Sequence, residues 1–184
     1  MKKRLLMLTF AAMAGATGAD AQNGGKRILT VYFSHSGNTR AVAEMIHEAA
    51  GGDIARIETV KPYPTEYREV VDRAKKEVES GFRPEIKDMP IDMDDYDVIF
   101  VGSPCWWYTM APAVATFLAS HDFKGKKIVP FMTHEGSRFA HTLDDMRKIC
   151  PDAELLEGFT VRGGKASEAD PDVRKWIGRL GLKR

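Results

Sequence analysis

Six consecutive residues, Ser34-His35-Ser36-Gly37-Asn38-Thr39, place three hydroxyls, one amide and one glycine between an apolar run and a helix-like stretch. Those groups suit the grip of an anion. A helix N-terminus offers unpaired N–H groups and the positive end of a dipole. Hydroxyls add donors, and Gly37 lets the backbone approach closely. No Lys is present, so this is not a Walker-type loop, and there is no G-x-G-x-x-G fingerprint. A single phosphate monoester is the natural guest. The competing reading is that Ser36 or Asn38 merely caps a helix. That reading suffices for one residue, whereas the cluster as a whole points to binding.

Two further segments carry chemistry-capable residues. Pro104-Cys105-Trp106-Trp107-Tyr108-Thr109 sets three aromatics side by side in an expected loop. Aromatic rings ordinarily seek the core, so a flat stacking partner would account for them; local packing under a surface loop is the alternative. Thr133-His134-Glu135-Gly136-Ser137 follows another apolar run. His134 and Glu135 could support acid–base chemistry, but no matched nucleophile accompanies them. His134 therefore reads as structural or as a hydrogen-bond partner. Cys105 and Cys150 do not make a disulfide framework, and neither is followed by Arg six positions on. The histidines show no metal-ligand spacing, and no G-x-S-x-G elbow exists. No metal and no catalytic residue is expected.

The elements that must position these segments alternate. Residues 28–33 (ILTVYF) read as a buried strand, 38–50 as a helix stopped by Gly51-Gly52, and 54–60 as a half-buried strand. A helix over 65–80 is expected, capped by Thr65 and ended by Gly81, with Val70, Val71, Ala74 and Val78 on one face. Strands follow at 96–102, 127–132 and 153–161, with helices at 112–120, 141–150 and 170–180. Asp170-Pro171 would supply the last cap and first turn. This alternation implies an α/β fold with a parallel sheet and helices on both faces. The Ser34, Pro104 and Thr133 segments each follow a strand, so one sheet edge would collect all three.

The first residues stand apart. Lys2, Lys3 and Arg4 precede an apolar run from Leu5 to Ala16, and Ala19-Asp20-Ala21 offers a small-x-small cleavage pattern. Residues 1–21 are expected to be a signal peptide, 22–26 a flexible lead-in and 27–184 the single domain. Export to a bacterial periplasm follows as an expectation, with no stable membrane span after removal of the signal. The full chain carries a net charge of +1, and losing residues 1–21 removes three basic residues and one acidic residue, leaving −1. Near-neutrality argues against a nucleic-acid partner.

Tyr32-Phe33-Ser34-His35-Ser36-Gly37-Asn38-Thr39 resembles the phosphate loop of flavodoxins. Pro104 to Trp107 is similar to the P-x-W-W loop of one flavodoxin subgroup, and Thr133 to Ser137 resembles that subgroup's T-H-E-G-S stretch. The similarity spans nearly all of residues 27–182. It implies a doubly wound five-stranded parallel sheet of order 2-1-3-4-5, with one FMN at the switch point. Ser34, His35, Ser36, Gly37, Asn38 and Thr39 would then meet the FMN phosphate. Pro104, Cys105, Trp106, Trp107, Tyr108 and Thr109 would line the ring, and Thr133, His134, Glu135, Gly136 and Ser137 would approach it. The implied function is electron transfer through non-covalent FMN, to an unidentified redox partner protein or a small quinone-like acceptor. An FMN-dependent quinone or NAD(P)H oxidoreductase is the alternative, and a non-redox module that has lost FMN is a third. Two details depart from the family. The ring loop holds no glycine, and the charge is near neutral where electron-carrying flavodoxins are strongly acidic. Arg138, if it faces the flavin, would stabilise the reduced anion.

Overall fold

The computed structural model describes residues 25–184; the expected signal peptide and residues 22–24 of the lead-in lie outside them. The chain runs β1 (Ile28–Tyr32), α1 (Asn38–Ala50), β2 (Asp53–Arg56), α2 (Tyr67–Ser80), β3 (Val98–Trp106), β4 (Thr109–Met110), α3 (Pro112–Ser120), β5 (Lys127–His134), α4 (Thr142–Ile149), β6 (Glu154–Leu155), β7 (Phe159–Arg162) and α5 (Asp170–Arg179). The strands order as β2-β1-β3-β5-β6, with β7 also paired to β5. All of these pairings are parallel. This is the expected doubly wound α/β sheet, with two additions: β4 runs antiparallel to β3, and the fifth strand comes in two pieces.

The break in the fifth strand has a local cause. β6 pairs with Lys127 and Ile128, and β7 pairs from Phe131 onward. The gap lies opposite Val129-Pro130, and Pro130 has no N–H to give a ladder. Gly158 crosses there: a Cβ on it would stand 2.7 Å from the Pro130 carbonyl oxygen and 2.5 Å from the Phe139 ring. The expected strand over 153–161 is therefore two short ones.

Strand alternation divides the core between two faces. Leu29, Val31, Ile99, Val101, Ile128 and Met132 pack on the side of α3 and Met146 of α4. Tyr32, Phe100, Val129 and Phe131 pack on the side of α1 and α5. On that second side Trp176 of α5, 1% exposed, meets Phe100 edge-on at 5.6 Å and stacks on Phe159 at 5.2 Å. Every residue of β1 is buried, Thr30 included, as a central strand covered on both faces requires.

Helix ends follow the sequence in part. Gly51 and Gly81 stop α1 and α2 with positive φ. The cap of α2 is Glu66 rather than Thr65, its carboxylate accepting from the N–H groups of Arg68 at 2.7 Å and Glu69 at 3.2 Å. Ala169, not Asp170, precedes α5, and no side chain caps that helix. β2 ends at Arg56 instead of running to residue 60. Beyond it Thr59 forms one antiparallel bridge with Ile86, and Val60 is exposed.

Candidate functional site

The loops that leave β1, β3 and β5 meet at the carboxyl edge of the sheet, as parallel topology demands. Gly37 precedes α1 with φ 96°, a left-handed conformation that favours glycine. No side chain caps α1, so the first-turn N–H groups have no side-chain acceptor. Around this end lie three buried hydroxyl residues: Ser34 is 3% exposed, Thr39 1% and Thr133 4%. The Thr39 and Thr133 hydroxyls share a hydrogen bond of 2.8 Å that ties α1 to the end of β5. Ser34 Oγ is buried with no partner. Leaving such a group unpaired costs roughly 1–3 kcal/mol, so it waits for an acceptor or donor.

The rest of this loop is more open. His35, Ser36 and Gly37 are exposed, and Asn38 is half-buried. His35 Nε2 donates to the Pro64 carbonyl at 2.8 Å, and Arg56 at the end of β2 donates to the Ser34 carbonyl at 3.1 Å. Gly163, just past β7, closes the cradle from the other side. A Cβ there would stand 2.6 Å from Asn38 Nδ2 and 2.5 Å from Glu135 Oε1, so any larger residue would push these two side-chain ends aside. An orphaned buried hydroxyl, an uncapped helix start and a glycine wall together fit a phosphate monoester.

The aromatic segment is not a loop. β3 continues through Trp106, turns at Trp107-Tyr108 and returns as β4, with Trp106 opposite Thr109. Both turn residues have positive φ, 47° at Trp107 and 65° at Tyr108. This is the backbone of a two-residue hairpin turn that normally selects Asn-Gly. The three rings part company. Trp106 packs edge-on against Tyr63 at 4.9 Å and Phe33 at 5.4 Å, with the His35 ring at 6.1 Å. Trp107 lies on α2: its indole N–H donates to the Val71 carbonyl at 3.0 Å, and the Lys75 ammonium is 5.1 Å from its ring centroid. Tyr108 is 62% exposed, and its carbonyl accepts from the His141 N–H at 2.9 Å. Thr109 donates to Asp145 Oδ2 on α4 at 2.7 Å.

Pro104 stands in register with Thr133 across the edge. Cys105 Sγ lies 3.1 Å from Ser137 Oγ, which joins the hairpin to the loop after β5. Cys105 and Cys150 are both free; Cys150 is buried, and burial pushes its thiol up to about 11. His134 ends β5 next to Thr133, is 9% exposed, and its Nδ1 has no partner. Burial first, then the charges of Arg162 and Arg138, hold it below the usual histidine range, against an opposing pull from Glu135. Glu135 and Gly136 are exposed, and Ser137 is half-buried.

All three predicted segments therefore converge, although Trp107, Tyr108 and Thr109 turn toward α2, solvent and α4. Four more residues at this edge, Arg56, Tyr63, Arg162 and Gly163, are not marked by the motifs of the sequence. Arg162 and Gly163 directly follow the expected fifth strand, so the rule that parallel strands end at one edge reaches them. Arg56 falls inside the strand expected over 54–60, whereas β2 ends at it and frees its side chain at the edge. Tyr63 carried no local signal.

The flavodoxin profile Flavodoxin_4 matches residues 27–180. No curated protein matches the chain. Among solved structures, a candidate flavoprotein from Bacteroides eggerthii shares 31% identity, with 86% of this chain and 99% of that one covered and a TM-score of 0.75. A second, from Bacteroides uniformis, shares 27% identity over 83% and 98% of the two chains at a TM-score of 0.74. A flavoprotein from Lactobacillus acidophilus, solved in complex with FMN, shares the fold at 24% identity, covering 82% and 98% at a TM-score of 0.63. With the profile spanning its whole α/β domain, the chain belongs to the flavodoxin family.

Proposed function

We propose that this protein binds one FMN non-covalently at the carboxyl edge and carries electrons through it. The observation that carries this reading is the buried hydroxyl group of Ser34, unpartnered beside the uncapped start of α1. Ser36, Gly37, Asn38 and Thr39 complete the cradle for the phosphate, with His35 holding the loop to Pro64. Pro104, Cys105, Trp106 and the Trp107-Tyr108 turn, with Thr109 fastening it to α4, wall the ring. Thr133, His134, Glu135, Gly136 and Ser137 form the facing wall. The bound flavin supplies reversible redox chemistry, while the chain binds it, orients it and excludes water.

Titrating the protein with FMN and following flavin fluorescence tests this reading. Tight one-to-one binding with quenching is the expected result, and no binding at micromolar FMN overturns it. One observation favours a second reading as an FMN-dependent quinone or NAD(P)H oxidoreductase. A cleft of about 160 Å³, lined by Phe33, His35, Arg56, Tyr63 and Lys87, opens directly beside Ser34. Steady-state oxidation of NADH with a quinone separates the two: a carrier shows negligible turnover.

Export is part of the proposal. The basic start, the apolar run to Ala16 and the Ala19-Asp20-Ala21 pattern support removal of residues 1–21 and residence in a periplasm. Among the described residues no helix is long and apolar enough to cross a membrane.

A further inference from the structure

We propose that Arg138 and Arg162, gathered around His134, form a cationic seat that binds reduced FMN more tightly than oxidised FMN and so raises the potential of the bound flavin. This rests on the FMN reading above. His134 and Arg162 are register partners at the ends of β5 and β7. The Arg162 guanidinium then lies over the next loop, its Nη2 3.9 Å from where a Cβ on Gly136 would stand. Arg138 belongs to the same loop and holds a left-handed φ of 53° without being glycine. Such a conformation is strained for a residue with a side chain and persists only where surrounding structure imposes it. His134 is itself buried with an unpartnered Nδ1; burial first, then the positive charges of Arg162 and Arg138, hold its pKa down.

The cluster keeps an unbalanced positive charge. Among the described residues neither Arg138 nor Arg162 has an ion pair or a hydrogen-bonded acceptor, whereas Arg40, Arg73, Arg147, Arg174 and Arg179 all do. Glu135 is the carboxylate that opposes them, and its Oε1 turns toward Gly163 and Asn38. The seat is also in the right place. Thr133, one residue earlier, meets Thr39 in the phosphate cradle, and Ser137 meets Cys105 of the aromatic hairpin. His134 therefore sits between the residue that reaches the cradle and the loop residue that reaches the hairpin.

Reduction adds two electrons and one proton to the oxidised ring, which leaves one extra negative charge. Two unpaired guanidiniums favour that added charge over the oxidised state. In the test, dithionite supplies the electrons and solvent the proton. Oxidised FMN affinity is read from fluorescence and the midpoint potential from a dithionite titration, on Arg138→Gln, Arg162→Gln, the two Arg→Lys variants and Glu135→Gln. Each Gln variant of the arginines is expected to lower the ratio of reduced to oxidised affinity by about threefold to tenfold. The Lys variants should keep most of it, and Glu135→Gln should shift it the opposite way. High salt should shrink all three differences. Arg179→Gln, at the far end of α5, removes the same charge and should leave the ratio unchanged. An unchanged ratio in both Arg→Gln variants, with FMN still bound, overturns the seat and leaves the FMN reading standing. A parent protein that binds no FMN overturns both.

Discussion

At the scale of single residues, Ser34 has opposite consequences with and without ligand. Its hydroxyl is buried and unpaired in the free protein. Ser34→Ala should therefore raise stability without FMN, by about 1 kcal/mol, and weaken FMN binding. Thermal unfolding in both states checks the pair of signs; a variant that loses stability without FMN contradicts the role. Thr39→Ala removes a hydroxyl that bonds Thr133; if the proposed cradle holds the FMN phosphate, the variant should weaken FMN by roughly 1–3 kcal/mol. His134 makes a prediction about pH. Its folded pKa lies below the ordinary value of about 6.5, so the unfolded chain binds the proton more readily. Stability from this group is complete above that value and falls as pH drops below it. Parallel pH–stability profiles for the parent and His134→Gln between pH 7 and 5 would remove His134 from this account; the variant's profile should be flatter.

Elements impose constraints that no single residue shows. The β3–β4 hairpin adopts a turn for which Trp107 and Tyr108 are poorly suited. It survives because it is fastened at three points: Trp107 to Val71, the Tyr108 carbonyl to His141, and Thr109 to Asp145. Tyr108→Gly should stabilise the protein by about 0.5–1 kcal/mol, since relief of the left-handed side chain outweighs the added freedom of the unfolded chain. Denaturant unfolding measures this, and a loss of stability would mean that Tyr108 makes contacts its exposure does not suggest. The same element explains a misreading at the sequence level. Cys105 and Trp106 look like loop residues because Gly102-Ser103-Pro104 ends the apolar run. In the fold, Ser103 Oγ accepts from the Ala111 N–H at 2.8 Å, and Pro104 stays in register with Thr133, so the strand carries on.

Across the whole molecule, the sheet tolerates few changes where its strands cross. Gly102 sits at the switch region of β3, and a Cβ there would overlap the Phe131 ring on β5. Gly102→Ala should cost about 1–3 kcal/mol through overpacking, read as a lower Tm. Trp176→Ala should cost about 3–5 kcal/mol, because the indole joins α5 to both Phe100 and Phe159. The exported state is checked by cell fractionation and N-terminal sequencing of the recovered protein. A first residue at or near Gln22 in the periplasmic fraction is expected, and full-length protein confined to the cytoplasm contradicts export.

What the sequence by itself determined is local or periodic. Strand runs such as DVIFVG, the glycine stops of α1 and α2 and the hydroxyl-rich turn before α1 each lie within a short window, where propensity and spacing act directly. Alternation of strands and helices then prescribes a parallel sheet, and a parallel sheet brings every strand-to-helix turn to one edge. Much of the site was legible for that reason. Only the tertiary structure decided where side chains at that edge point and which groups remain unpaired. Glu66 displaces Thr65 as a cap because its longer carboxylate reaches two N–H groups at once. Pro130 divides the fifth strand from across the sheet. Gly163 meets Asn38 from well over a hundred residues away, and Arg162 comes to lie over Gly136. Such contacts depend on register between distant strands, and register is settled by packing of the whole sheet rather than by any segment of it.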